Sequence, residues 1–370
     1  MVMVTEFLLY VSFALLMGGL IIWIVPEGTR PRVIVPKKLL LCCTVLIPVL
    51  SFAPLLNVVY VLSEDMDYWV NFRSILFTFE IGKSWWFTVA ISALLFILLY
   101  TFDLQKNSYL AKIGVVFVVF MVFAVGKAGH AASITQWFGF AVHSAHFVGV
   151  TIWSGVLMTV AWFSKDLQNW TSFLKWFAPL SVVCALIIIT AGYFTMEIDL
   201  QSYEDFNASV WTQYKNSWMI NYGQALLIKH LLYIPVLLFG LLNGFLLKVR
   251  QDANSLNFPM SLIRIESGFV LFMFGATAFM GQQTPPHQIA QTIQILGPSP
   301  LFDALYSSRI QPDMAVILNF QVMSFLLFLL SLLFLGLCVL SIWKKRQLLS
   351  LLFSILFLPT LYLGIMLGVN

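Results

Sequence analysis

Long apolar stretches recur along the whole chain, separated by short polar connections. A stretch of about 20 apolar residues crosses roughly 30 Å of hydrocarbon as an α-helix. These stretches are continuously apolar, whereas the strands of a membrane β-barrel alternate between apolar and polar residues. The pattern predicts an all-α, polytopic membrane helix bundle with about ten transmembrane helices. The predicted spans are residues 7–25, 39–61, 84–102, 110–128, 140–163, 173–195, 224–247, 264–283, 315–341 and 347–367.

The composition agrees with this pattern. Of 370 residues, 60% are hydrophobic and 10% are charged, whereas soluble domains carry about 25% charged residues. The first span lacks a basic segment before it, carries Glu6 instead and shows no small-residue cleavage pattern, so we expect a retained helix rather than a signal peptide. We find no soluble domain or linker. The lipid bilayer is the expected environment, and the net charge of +4 needs no nucleic-acid partner.

The distribution of charge predicts the orientation of the helices. With both termini outside, most basic residues lie in the inner loops and most acidic residues lie outside, as the positive-inside rule requires. The first inner loop alone carries Arg30, Arg32, Lys37 and Lys38. Three outer loops, 62–83, 196–223 and 284–314, are long enough for a lid or a short surface helix.

All five histidines fall in the outer half of this topology. His130 follows the fourth span, His143 and His146 lie in the fifth, His230 lies in the seventh, and His287 follows the eighth. His143 and His146 are three residues apart and share one helix face. Because an imidazole in hydrocarbon is costly without a partner, these residues are candidate metal ligands.

The neighbouring residue types indicate which metal this would be. No acidic residue falls in the outer halves of the predicted spans, and the cysteines lie in apolar stretches as expected packing residues, without a Cys-x-x-Cys motif. Imidazole nitrogen with thioether sulfur suits copper, as Cu(I) or Cu(II), better than magnesium or calcium. The predicted metal ligands are His130, His143, His146, His230, His287 and Met280.

Motifs for other chemistry are absent from the sequence. There is no phosphate-binding loop of the Walker type, no zinc-protease helix motif and no nucleophile-elbow serine motif. We therefore expect no enzymatic activity and no ATP-driven pumping by this chain alone.

Residues 126–286 resemble the CopD/PcoD family of copper-resistance membrane proteins. The resemblance runs in order through "GKAGHAA", "HSAHFVGVTIWSGVLM", "FAPLSVVCALIIITAG", "YGQALLIKHLLYIPVLLFGLLNG" and "ATAFMGQQTPP". The residues that match family positions are His130, His143 or His146, Trp153, Tyr222, Gly223 and Lys229. Departures from the family pattern occur at Ser154, Val156 and Gly244.

This resemblance implies a multi-pass protein of the bacterial cytoplasmic membrane that handles copper at the outer face and carries it inward. It divides the chain into N-terminal helices at 1–125, a CopD-like core at 126–286, and an outer loop with two further helices at 287–370.

Three functional hypotheses remain open at this point. In the first, a copper transporter captures the ion at His143 and His146 and passes it inward between the fifth and seventh helices. In the second, His146 and His230 lie at one depth and ligate haem b axially in an electron-transfer protein. In the third, the site holds copper for delivery to an extracytoplasmic copper chaperone or to an oxidase during assembly.

Overall fold

The computed structural model describes residues 2–63, 67–201, 208–249, 257–306 and 309–369, with the backbone alone described at 245–249 and 257–259. Within these ranges the regular secondary structure is helical, and the only β-type pairings are two isolated bridges.

Ten helices of the described chain are long and apolar enough to cross a membrane, which confirms the predicted number of spans. They are α1 (Val2–Ile24), α2 (Lys37–Leu62), α4 (Glu80–Thr101), α5 (Ser108–Ala128), α7 (Trp137–Phe163), α8 (Trp170–Leu200), α10 (Asn221–Val249), α11 (Asn257–Met280), α14 (Val322–Trp343) and α15 (Gln347–Met366). The protein is therefore a multi-pass membrane protein. The placement of both termini outside stays a prediction.

Shorter helices occupy the connections between the spans. They are α3 (Tyr68–Phe77), α6 (His130–Thr135), α9 (Val210–Ser217), α12 (Ile289–Leu296) and α13 (Pro300–Asp303), with 3-10 turns at Glu27–Thr29 and Pro286–Gln288. Each of the three long connections, which the sequence analysis found long enough for a lid or a short surface helix, contains at least one short helix. Residues 64–66, 202–207 and 307–308 of these connections lie outside the described residues. The α3 helix begins where the Asp67 carboxylate accepts hydrogen bonds from the backbone N–H groups of Trp69 and Val70.

Several spans begin or end outside their predicted bounds. The α1 helix begins at Val2 rather than at 7, and α8 continues to Leu200 rather than ending at 195, so Glu6, Glu197 and Asp199 lie inside helices and not in the connections. The expectation that the outer halves of the spans lack acidic residues is corrected accordingly. The ninth span begins at Val322 rather than at 315, because the preceding segment is extended and the Asn319 N–H donates to the Gly368 oxygen at 2.6 Å.

The helices group into two compact units, residues 1–198 and 199–370. The sequence-based division at 125 and 286 follows the resemblance and stays a prediction. In the first unit, α1 and α7 are the most buried spans, and they cross where Gly18 meets Gly155. A Cβ at Gly18 would collide with the Gly155 carbonyl, and one at Gly155 would collide with the Ala14 carbonyl. Small residues thus let the two backbones touch.

In the second unit, α10 packs against α11, α14 packs against α15, and α15 contacts both α10 and α11. A buried polar link holds α15 to α10. The Tyr362 hydroxyl donates to Gln224 Oε1 at 2.6 Å, and Gln224 Nε2 donates to the Trp218 oxygen at 2.6 Å. This amide thus has partners for both its oxygen and its nitrogen, as a buried polar group requires.

Candidate functional site

His143 and His146 lie on adjacent turns of α7 in the first unit, and both are half-buried. The His143 ring packs against Gly129, where any Cβ would overlap the ring atoms Nδ1 and Cε1. Gly129 is also the residue before His130, the exposed first residue of α6. A glycine at this junction therefore gives the His143 ring its place beside the segment that carries His130.

His146 faces α8. Its Nδ1 lies 2.9 Å from the Ile188 backbone oxygen, and because a carbonyl oxygen can only accept, Nδ1 carries the hydrogen. In the neutral ring, Nε2 then carries the lone pair. A Cβ at Gly192 would come within 3.0 Å of Nδ1, so this glycine leaves room for the ring. Metal-ligating histidines commonly donate their second ring nitrogen to a carbonyl in this way.

His287 in the second unit shows the same arrangement. It lies in the 3-10 turn Pro286–Gln288, and its Nδ1 is 2.8 Å from the Gln201 backbone oxygen. The hydrogen is again on Nδ1, which leaves the lone pair on Nε2. Met280, the last residue of α11, is half-buried, and its backbone oxygen accepts from the Gln283 N–H at 3.0 Å.

His230 on α10 pairs with a tyrosine. Its Nδ1 lies 3.0 Å from the Tyr214 hydroxyl, and the two rings meet edge to face with centroids 5.5 Å apart. Burial raises the pKa of Tyr214, which lies on the short helix α9 between spans, so this phenol keeps its proton at neutral pH. The Tyr214 side chain thus orients the His230 ring.

The six predicted ligands are divided between the units. His130, His143 and His146 belong to the first unit, and His230, His287 and Met280 belong to the second. Among the described residues, no three His, Cys, Asp or Glu side chains form a group that could hold a metal ion. The complete ligand set therefore stays a prediction, and the structure contributes the ring orientations of individual histidines.

Three of the four cysteines are buried, as expected of packing residues, whereas Cys42 is exposed on α2. Cys338 lies with its Sγ 3.1 Å from Ser354 Oγ, within the α14–α15 contact.

Sequence analysis missed a cluster around Asp199 in the second unit. The Tyr222 hydroxyl donates to Asp199 Oδ2 at 2.8 Å, and Lys229, two turns further along α10, attracts the same carboxylate. Asp199 Oδ1 is buried and has no hydrogen-bond partner among the described residues. The sequence carries no helical signal here, because the strict alternation of apolar and polar residues in "FTMEIDL" is typical of a strand.

Comparisons with protein-family models, with curated proteins and with solved structures found no match to the chain. The helices by themselves define the class, a multi-pass membrane protein with ten candidate spans in its described part.

Proposed function

We propose that this protein transports copper across the cytoplasmic membrane of a bacterium, taking it up through a histidine site on α7. The observation that carries the proposal is the hydrogen bond from His146 to the Ile188 oxygen, which leaves the Nε2 lone pair as the donor nitrogen of a half-buried ring. Imidazole nitrogen is a good ligand for copper in either oxidation state. The resemblance to the CopD/PcoD family supplies the identity of the ion and the inward direction.

The capture step uses histidines of the first unit. His143 and His146 share a face of α7, and His143 lies against the segment that carries His130. Neutral imidazoles suit an ion that must be released again, since the site then adds no fixed negative charge to hold it. His230, His287 and Met280, which belong to the second unit, stay ligands predicted from the sequence alone.

Soft donors are also present deeper in the first unit. Met158, twelve residues or about 18 Å beyond His146 on α7, is buried, and so is Cys43 on α2. Thioether and thiol sulfur favour Cu(I). We propose these two residues as candidate inner donors, on two helices that both pack against α1.

The first experiment measures copper and iron together in the purified full chain after mild copper loading. The proposal expects about one copper per chain, lost when both His143 and His146 are replaced by alanine, and little iron. The matched control is Ser144→Ala, a buried residue between them on the same helix. Circular dichroism checks that each variant keeps its helices.

Uptake measurements in cells then separate transport from delivery. Loss of copper accumulation in cells without the protein supports transport. Normal accumulation together with failed maturation of a copper oxidase would instead indicate delivery to an extracytoplasmic chaperone or an assembling oxidase. Stoichiometric iron in the purified protein would contradict both copper hypotheses and would indicate a protein that ligates haem b and transfers electrons.

A further inference from the structure

A buried polar pair joins α10 and α11 in the second unit. Asn243 Nδ2 donates to Glu266 Oε2 at 2.8 Å, and the two side chains are 6% and 3% exposed. Both residues lie within candidate membrane spans. A carboxyl group in such surroundings is costly unless it is hydrogen-bonded, and ionisable residues inside membrane spans are functional candidates by default.

The partner of this carboxyl is neutral. Among the residues that the structure describes, no Lys, Arg or His side chain forms an ion pair with Glu266. Arg264 on the same helix is exposed. On α10, Tyr233 is ten residues, or about 15 Å, from Asn243, and on α15 the titratable side chain is Tyr362. The side chain of Lys248 lies outside the described residues.

An amide can serve both protonation states of a carboxyl. Its NH₂ group donates to a carboxylate, and its oxygen accepts from a carboxylic acid. In the structure the Asn243 amide donates, while its Oδ1 is buried and has no hydrogen-bond partner among the described residues. Rotation of the amide would present that oxygen to a protonated Glu266. The pair is thus hydrogen-bonded in either state.

A glycine keeps the space beside this carboxyl. Gly240 lies one turn before Asn243 on α10, and a Cβ there would come within 3.3 Å of Glu266 Oε1. The backbone of α10 therefore approaches the carboxyl closely. Glu266 thus lies between Gly240 and the amide group of Asn243, both on α10.

We propose that Glu266, with Asn243 as its hydrogen-bond partner, binds and releases a single proton inside the membrane-spanning part of the second unit. A proton needs one acceptor atom, whereas Mg²⁺ or Ca²⁺ needs about six or more oxygen ligands. Glu266 and Asn243 supply three side-chain oxygens, and no larger cluster of metal-ligating side chains is present among the described residues. The proton site uses none of the proposed copper ligands.

The test is infrared pH-difference spectroscopy of the full chain in liposomes without copper. From about pH 5 to about pH 9, the wild type should lose the carbonyl stretch of a protonated carboxylic acid, and the Glu266→Gln variant should lack this change. The matched control is Glu80→Gln, because Glu80 is an exposed acid that pairs with Lys83 at 3.3 Å. That variant should keep the titrating band.

The Asn243→Leu variant gives a second readout with the carboxyl in place. The amide donates to the carboxylate and so favours its charged form. Removal of the amide should therefore raise the midpoint of the band by about one pH unit or more. A titrating band that survives Glu266→Gln, or a Glu266 band that does not change with pH, would overturn the proposal. Copper content of Glu266→Gln should match the wild type, so failure of the copper site and failure of the proton site are distinguishable.

Discussion

Nδ1 of His146 donates to the backbone oxygen of Ile188 over 2.9 Å, which ties α7 to α8 and fixes the tautomer of the ring in one contact. A backbone oxygen has two lone pairs, so Ile188 can accept this bond in addition to the bond of its own helix. The contact therefore has two roles that substitutions can separate, one in helix packing and one in presenting Nε2 to a ligand.

We expect His146→Asn and His146→Leu to differ in stability but not in copper binding. Asparagine can still donate to the Ile188 oxygen, whereas leucine cannot, so only leucine should lower the unfolding free energy, by about 1 kcal/mol. Both lack Nε2 and should weaken copper binding about tenfold or more. Thermal unfolding and copper titration of the purified chain measure the two effects. Equal copper affinity in wild type and His146→Asn would show that His146 is not a copper ligand.

Copper binding should weaken as the pH falls from about 7.5 to about 5.5, because protons compete with the metal for imidazoles whose unperturbed pKa is near 6.5. Protonation of an imidazole occupies the lone pair that would bind copper, so acid lowers the affinity for the metal. Copper titrations at several pH values in one buffer series check this. A flat response would show that thioether sulfur, with Met280 the first candidate, dominates the site.

The spans could be predicted from sequence because an apolar stretch of sufficient length leaves few alternatives, and all ten are present in the described chain. The ends of the helices were harder to predict, because an acidic residue next to an apolar stretch resembles the start of a loop. Asp199 stays inside α8, where Tyr222 on another helix donates to it. The Asn243–Glu266 pair was missed for a different reason: a sequence does not show which helix faces meet.

Replacement of Gly155 by alanine should destabilise the first unit, because the new Cβ would meet the Ala14 carbonyl on α1. Forcing a methyl group into a packed contact typically costs about 1 to 3 kcal/mol. The control is Gly336→Ala on α14, where a Cβ meets nothing within 4 Å and helix propensity should improve slightly. Thermal unfolding in detergent compares the two. Equal melting temperatures would contradict the close crossing of α1 and α7.

Asp199 and Tyr222 should show energetic coupling in a double-mutant cycle. Tyr222→Phe removes the hydroxyl that donates to Asp199 Oδ2 at 2.8 Å, and Asp199→Asn replaces the charged acceptor by a neutral amide oxygen, which accepts a weaker hydrogen bond. Polar contacts between membrane helices are worth about 0.6 kcal/mol on average and up to about 1.7, so we expect a coupling of about 1 kcal/mol.

Asp199→Asn should cost more than Tyr222→Phe, since it also leaves Lys229 without the carboxylate that attracts it. Unfolding free energies from denaturant titration in micelles measure both single variants and the double variant. Tyr193→Phe, an exposed tyrosine on α8, is the matched control and should be close to neutral. Additive effects of the two substitutions would mean that the hydroxyl and the carboxylate do not interact in the folded protein.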